Sequence, residues 1–356
     1  MSSQPRVLQR VIDTFISPVL SRIFWKFQLA QEEFPGVIGL EVTSFCNLRC
    51  PMCPRTFSDR HWNHMPLDLF KRLIDEIKPY DEKGMIEQIG LQGYGEIFLH
   101  PNWFEIVEYA SPRITKALLR LDTNGTMMKA PVIDKLFQSQ LRNLIISVDG
   151  VDETSYNYLR AGGNFTQVIE NIQLFIARRK QEPTKGPTVQ IQIIESDYSR
   201  PYLPEFKKFW TEQLQGVDRM SINVIPFHNF AGQIKDEHFD AVKETGLHFN
   251  LPCHRLTYEM EISADGVTSV CCLDSERQLA IGNVNQVSIN EMWHGPKVTA
   301  YREQMKRARY GTMALCQTCP HSQKFVSHYA NPARLKGAVG TLGKLQRRHK
   351  TNRLFD

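Results

Sequence analysis

Short apolar runs alternate with longer amphipathic stretches from residue 36 to about residue 224. The β-rich runs fall at 38–42, 86–92, 117–122, 144–148, 189–194 and 221–224. Between them, apolar positions recurring every three or four residues predict helices at 67–77, 103–110, 131–138, 165–179 and 203–214. Each helical stretch is long enough to cross over between parallel neighbours, so the pattern predicts an α/β domain of βα units. The expected architecture is a partial (βα)6 barrel whose functional site gathers at the strand C-terminal ends.

The pattern changes beyond residue 232. A polar stretch leads to short strands at 258–263 and 267–272, joined by the turn dipeptide Asp265-Gly266, and then to a helix at about 289–306. A small β-hairpin and helix domain is expected there. At the other end, apolar doublets recur every four residues (Val7/Leu8, Val11/Ile12, Phe15/Ile16, Val19/Leu20, Ile23/Phe24), a wide helical stripe interrupted by Pro18. Arg10, Asp13, Arg22 and Lys26 exclude a spanning helix, so this segment either packs on the body or lies on a surface. The chain thus divides into an amphipathic extension (1–35), a barrel (36–232), a small C-terminal domain (233–325) and a tail (326–356).

The net charge of +5 is local, because residues 334–356 hold seven Lys or Arg and one acid and leave the rest near −1. Nucleic-acid binding would want basic residues spread over a face with interleaved aromatics, so none is expected; the tail keeps peripheral membrane contact open. No cleavable apolar signal opens the sequence, and the expected location is cytoplasmic.

Eight cysteines stand at 46, 50, 53, 253, 271, 272, 316 and 319 of a 356-residue chain, in two groups with none between residues 53 and 253. Such clustering favours metal ligation over a disulfide framework. Cys46-Asn47-Leu48-Arg49-Cys50-Pro51-Met52-Cys53 follows the first predicted strand and puts three thiols on one loop at the barrel mouth. Three thiolates on a cubic 4Fe-4S cluster leave one iron open to a substrate or cofactor. Zinc is the alternative, with His61 or His64 completing four ligands. Cys253, Cys271, Cys316 and Cys319 are spaced by 18, 45 and 3 residues and make a complete set of four, which suggests a closed cluster or a tetrahedral zinc. Cys272 is left over, as a small buried residue, an alternative ligand or a hydrogen-atom donor.

The cysteine triplet after a strand resembles the signature of the radical S-adenosylmethionine (SAM) superfamily, and further motifs follow in order. Gly93-Tyr94-Gly95-Glu96 is similar to the motif that receives the SAM amino group. Asn124, Ser147 and Asp149 stand at strand ends where related enzymes contact the SAM ribose and methionine, and Arg160 in a stretch whose Arg meets the SAM carboxylate. Met52 departs from the aromatic residue that many members place at the adenine.

The segment around Cys253, Asp265-Gly266, Cys271, Met292-Trp293-His294 and Cys316-Cys319 resembles the SPASM family, in its shortened "twitch" form with one auxiliary cluster. The resemblance implies a partial radical SAM barrel with a twitch-type domain. Its implied cofactors are a SAM-binding 4Fe-4S cluster, an auxiliary 4Fe-4S cluster and SAM itself, with an electron donor such as flavodoxin or ferredoxin.

The chain also resembles the twitch-type radical SAM alcohol dehydrogenases. The implied activity is oxidation of a secondary alcohol on a sugar- or cyclitol-like metabolite; the alternatives are epimerisation and maturation of a ribosomal peptide. No base is assigned among His61, His64, Tyr94, His228 and Asn229, and His294 is read as packing or surface.

Overall fold

The computed structural model describes residues 11–19, 21–22, 33–234, 253, 255–307, 313–317 and 319. The basic tail, part of the N-terminal extension and the stretch 235–252 lie outside the described residues.

Six parallel strands form the body: β1 (Val37–Leu40), β2 (Gln88–Gly90), β3 (Leu118–Thr123), β4 (Asn143–Ser147), β5 (Thr188–Glu195) and β6 (Met220–Pro226). They pair in sequence order, each parallel to the next. The crossovers carry α1 (Leu67–Glu82), α2 (Trp103–Ala110), α3 (Ala130–Gln138), a short α4 (Glu153–Leu159), α5 (Phe165–Gln181) and α6 (Leu203–Gln213). Ile38 and Leu40 of β1, Leu119 and Leu121 of β3 and Ile191 and Ile193 of β5 are fully buried with Phe70, Leu73, Ile106, Ile172 and Phe206 of the helices. Alternation turns the other residues of each strand to the inner face of the barrel.

The C-terminal part extends the same sheet. β7 (Glu259–Ile262) lies parallel to β1 on the side away from β2, and β8 (Val267–Ser269) and β9 (Ala280–Asn283) continue antiparallel from it. The edge of β1, which would otherwise expose unpaired backbone groups, is covered by this strand. Short helices α7 (Arg255–Tyr258), α8 (Ile289–Trp293), α9 (Pro296–Lys306) and α10 (Ala314–Gln317) complete the unit.

Three details depart from the periodicity. The helix expected at 289–306 is two helices, broken at Gly295, because Pro296 has no N–H to continue the first and occupies the opening turn of the second. Helix α1 runs beyond residue 77 because its last turn is held by tertiary contacts: Tyr80 stacks on Phe34 at 3.6 Å, and buried Asp81 accepts from the backbone of Thr115, Lys116 and Ala117. Pro18 does not break the N-terminal helix, whose turn at Ile12–Ile16 widens instead. That helix docks through Ser21, which donates to the Met305 carbonyl at 2.9 Å, while Phe15 and Val19 stay exposed.

Candidate active site

The first cysteine loop leaves β1 under tight backbone control. Glu41 donates its N–H to the Ile262 carbonyl, Ser44 exchanges hydrogen bonds with Asn63, and Arg55 Nε reaches back to the Ser44 carbonyl at 2.8 Å. Arg49 N–H donates to Ala161 O and the Thr56 hydroxyl to Cys50 O, both at 2.8 Å. Cys46, Cys50 and Cys53 thereby gather in one apolar cluster with Leu48, Met52, Leu159 and Ile234. Burial pushes the Cys46 and Cys50 thiols up, and carries Cys53 to about 12. Thiols so placed ionise only beside a strong positive centre, which is what a metal cluster supplies. Donors already face the sulfurs: Leu48 N–H lies 3.5 Å and Asn124 Nδ2 3.9 Å from Cys46 Sγ, and Arg160 Nη1 3.8 Å from Cys50 Sγ.

The strand ends beyond β2, β3 and β4 close over this loop. A Cβ on Gly95 would collide with the Thr43 carbonyl, and Glu96 N–H donates to Phe45 O at 2.7 Å, so the glycine lets the second strand end lie directly against the cysteine loop. Buried Glu96 then ties two strand ends together, accepting from Thr123 Oγ1 and from Asn124 N, each at 2.7 Å. Ser147 Oγ lies on the inner face, 3.4 Å from Gln192 Nε2. Asp149, in a left-handed conformation (φ 59°), accepts from Ile194 N and is ion-paired with Arg160. Arg160 Nε is buried with no partner among the described residues, a donor left for a bound group to satisfy.

Removing Glu96 strands the Asn124 N–H and the Thr123 hydroxyl. Glu96→Ala is therefore expected to lower unfolding stability by about 3 kcal/mol in urea. A loss under ~1 kcal/mol would mean that water takes the carboxylate's place.

At the second constellation, Cys253, Cys271, Cys316 and Cys319 line one pocket together with Leu256, Leu273, Leu279, Met305 and Leu315. Burial raises the Cys253 thiol to about 11 and pushes Cys271 and Cys316 well above their usual value. Cys272, next in sequence, does not line the pocket; its Sγ accepts from Arg255 Nη1 at 2.7 Å. Among the described residues no three His, Cys, Asp or Glu side chains close on a point that one metal ion could occupy, whereas a cubic cluster spans a wider gap between its thiolates.

The two constellations are linked. Tyr94 donates its hydroxyl to the Cys272 carbonyl at 2.9 Å and its backbone N–H to Glu41 Oε2, and Arg60 joins Glu41 (2.7 Å) to the Ser275 carbonyl (3.2 Å).

Several candidate bases take other tasks. His64 is hydrogen-bonded to Thr43 Oγ1 at 2.9 Å and packs edge-on to His100, and burial lowers its pKa. The Asn229 side chain caps the turn at Gly232, and burial raises the Tyr94 phenol well above its ordinary value. His294 reaches the Glu33 carbonyl, consistent with a surface contact.

Residues 40–191 match the model of the radical SAM superfamily, and residues 253–320 match the iron-sulfur cluster-binding SPASM domain. The chain belongs to the radical SAM superfamily. It is a radical SAM enzyme that uses a 4Fe-4S cluster and SAM, and its SPASM domain takes an auxiliary iron-sulfur cluster, which replaces the zinc alternatives. The buried thiols, the sulfur-facing donors and the orphaned Arg160 Nε fit these groups.

The chain is 24% identical over 315 residues (78% of this chain, 86% of the relative) to the tungsten-containing aldehyde ferredoxin oxidoreductase cofactor-modifying protein of Pyrococcus furiosus. It is 20% identical over 285 residues (80% and 92%) to the S-adenosyl-L-methionine-dependent 2-deoxy-scyllo-inosamine dehydrogenase of Niallia circulans. The crystal structure of BtrN in complex with AdoMet and 2-DOIA shares the fold, with a TM-score of 0.55 at 19% identity over 80% of this chain and 93% of that one. No described helix is long and apolar enough to cross a membrane.

Sequence reasoning passed over Glu41, Glu259 and Glu261, which stand on the inner face near Tyr94 and Cys272. The signal was present as the alternation Glu259-Met260-Glu261-Ile262, which turns two carboxylates to one side of a strand.

Proposed function

We propose that this radical SAM enzyme oxidises a secondary alcohol of a small polyhydroxylated metabolite, of the sugar or cyclitol kind. The observation that carries the reading is the polar inner face. Asn223 Nδ2 donates to Gln192 Oε1 at 3.0 Å and Gln192 Nε2 to Ser147 Oγ, a ladder of neutral donors and acceptors suited to hydroxyl groups. Gln92, on the side of Gly90, has a buried Oε1 with no partner among the described residues. A binding surface with unmet amide capacity selects a ligand rich in hydrogen-bonding groups, because an apolar one would leave those groups unpaired. The 2-deoxy-scyllo-inosamine dehydrogenase, similar along four-fifths of this chain, supports the same class.

In this reading Cys46, Cys50 and Cys53 hold the SAM-binding cluster, and Cys253, Cys271, Cys316 and Cys319 hold the second. Gly93, Tyr94, Gly95, Glu96, Asn124, Ser147, Asp149 and Arg160 form the SAM pocket. The cofactors supply a 5′-deoxyadenosyl radical and a one-electron acceptor. The protein's part is to hold SAM and substrate in register: Arg160, fixed by Asp149, presents Nε to SAM, and the amide ladder fixes the hydroxyls. A flavodoxin- or ferredoxin-type protein provides the initiating electron.

Anaerobic incubation of reduced holoenzyme with SAM and 2-deoxy-scyllo-inosamine or myo-inositol tests the reading. Ketone and 5′-deoxyadenosine are expected in a ratio near one. A stereochemically inverted alcohol without ketone would instead make the enzyme an epimerase, with Cys272 as the candidate hydrogen-atom donor.

A further inference from the structure

One carboxylate on the inner face has the surroundings of a proton acceptor. Met260 and Ile262 are fully buried in the apolar core, so Glu261 between them points to the opposite face, that of Gly39 and Glu41. Strand pairing sets Glu261 beside Gly39, and a Cβ at Gly39 would collide with its carboxylate. Only glycine leaves room for the side chain to lie across β1.

The neighbouring acids are already engaged. Glu41 is paired with Arg60 at 2.7 Å and Glu259 with Arg255 at 2.6 Å. Among the described residues the Glu261 carboxylate accepts no hydrogen bond and forms no ion pair. The titratable and charged groups around it are Glu41 on the β1 side, Tyr94 after β2, Glu259 on its own strand, Arg255 on α7, and Cys272 and Arg277 between β8 and β9. Burial is the main cause that raises the Glu261 pKa to about 8; Arg277 and Arg255 oppose it, and Glu259 and Glu41 add to it.

We propose that Glu261 accepts the hydroxyl proton of the substrate alcohol as the carbinol carbon becomes a carbonyl, an inference that rests on the dehydrogenase reading. The carbinol C–H bond breaks homolytically, and its hydrogen atom completes the methyl group of 5′-deoxyadenosine. The O–H bond breaks, and its proton forms a new O–H bond on the Glu261 carboxylate. The remaining electron leaves to a one-electron acceptor of the iron-sulfur class, and the C=O double bond forms. Tyr94 is a poor competitor, because its hydroxyl is given to the Cys272 carbonyl.

The test uses holoenzyme, SAM and 2-deoxy-scyllo-inosamine deuterated at its carbinol carbons, with Glu261→Gln and Glu261→Asp as variants. In the wild type, ketone formation is expected to rise with pH through about 8 and then level off, because the base acts when deprotonated. Glu261→Gln is expected to lose about 10²- to 10³-fold in ketone formation and the pH dependence with it, while deuterium still enters 5′-deoxyadenosine. Glu261→Asp, which keeps the carboxylate, restores part of both.

A second readout needs no turnover. A folded-state pKa above the unfolded value means that stability is lost as pH rises between the two, so the wild type should weaken relative to Glu261→Gln from about pH 5 to about pH 8. Equal iron content in all three proteins confirms that they fold.

Ketone formation by Glu261→Gln at the wild-type rate and with the wild-type pH profile would overturn the assignment of Glu261 and leave the dehydrogenase reading intact. A wild type that passes no deuterium to 5′-deoxyadenosine and forms no ketone would overturn both.

Discussion

Replacing Cys46, Cys50 and Cys53 together by alanine is expected to reduce reductive SAM cleavage to background and to remove about four of about eight irons per chain. The argument starts from burial. These three thiols sit among Leu48, Met52, Leu159 and Ile234, where a free thiolate is disfavoured to the extent that Cys53 moves to about 12. The Arg160 and Asn124 donors aimed at the sulfurs offer partners for thiolates that bare thiols do not need. Alanine removes the ligands and leaves the loop's backbone anchors to Ser44 and Ala161 intact. The sheet beneath packs on Ile38, Leu40 and Val42 and is untouched, so circular dichroism should be unchanged. Iron analysis with 5′-deoxyadenosine quantification settles the matter: cleavage that survives in a variant lacking four irons would place the SAM-binding cluster elsewhere.

How far the sequence spoke for the structure depended on whether a feature was local. The six barrel strands and five of the crossover helices were legible because Leu, Ile and Val recur with period two or near four on elements that bury one side. The last turn of α1 was not, since Asp81 is there to hold the backbone of residues 115–117, a contact that spans more than thirty positions. The pairing of β7 with β1 was equally hidden, because two short strands whose partners stand 222 residues apart carry no mutual signal. That pairing has functional weight. It brings Glu261 over Gly39 and sets the Cys272 carbonyl against Tyr94, so the polar face between the cysteine sites is a product of tertiary structure.

Of the candidate site, the cysteine spacings were fully readable, and the order of Glu96, Asn124 and Arg160 behind them gave the class. What spacing could not give was partnership: Asp149 holds Arg160, and Glu96 accepts from Thr123 at the end of β3 and from Asn124 just after it while its own N–H goes to Phe45 O on the cysteine loop.

Replacing Cys271 or Cys316 by alanine should separate hydrogen abstraction from oxidation. Both residues line the pocket shared with Cys253 and Cys319, and the walls of that pocket come from α7, the segment after β8, α9 and α10. Losing one of four ligands is expected to cost about four irons. Binding energy at such a site is folding energy, so the melting temperature should fall by roughly 10 °C or more as the short helices lose their common anchor. The chemical effect follows from electron balance. A substrate that has given up its carbinol hydrogen atom and hydroxyl proton still holds one electron more than the ketone, and without an acceptor nearby that electron has no exit. 5′-Deoxyadenosine should therefore still form, at a rate within about tenfold of wild type, while the ratio of ketone to 5′-deoxyadenosine falls from near one toward zero. The first site is built from β1–β4 and its loops, tied to the C-terminal unit through Tyr94, Glu41 and Arg60, so partial loss of cleavage is expected where those ties slacken. Measuring the ratio rather than the rate removes that contribution. A ratio that stays near one in a variant shown to lack the second cluster would mean that the electron returns to the first, and the four-cysteine pocket would then be a structural element of the fold.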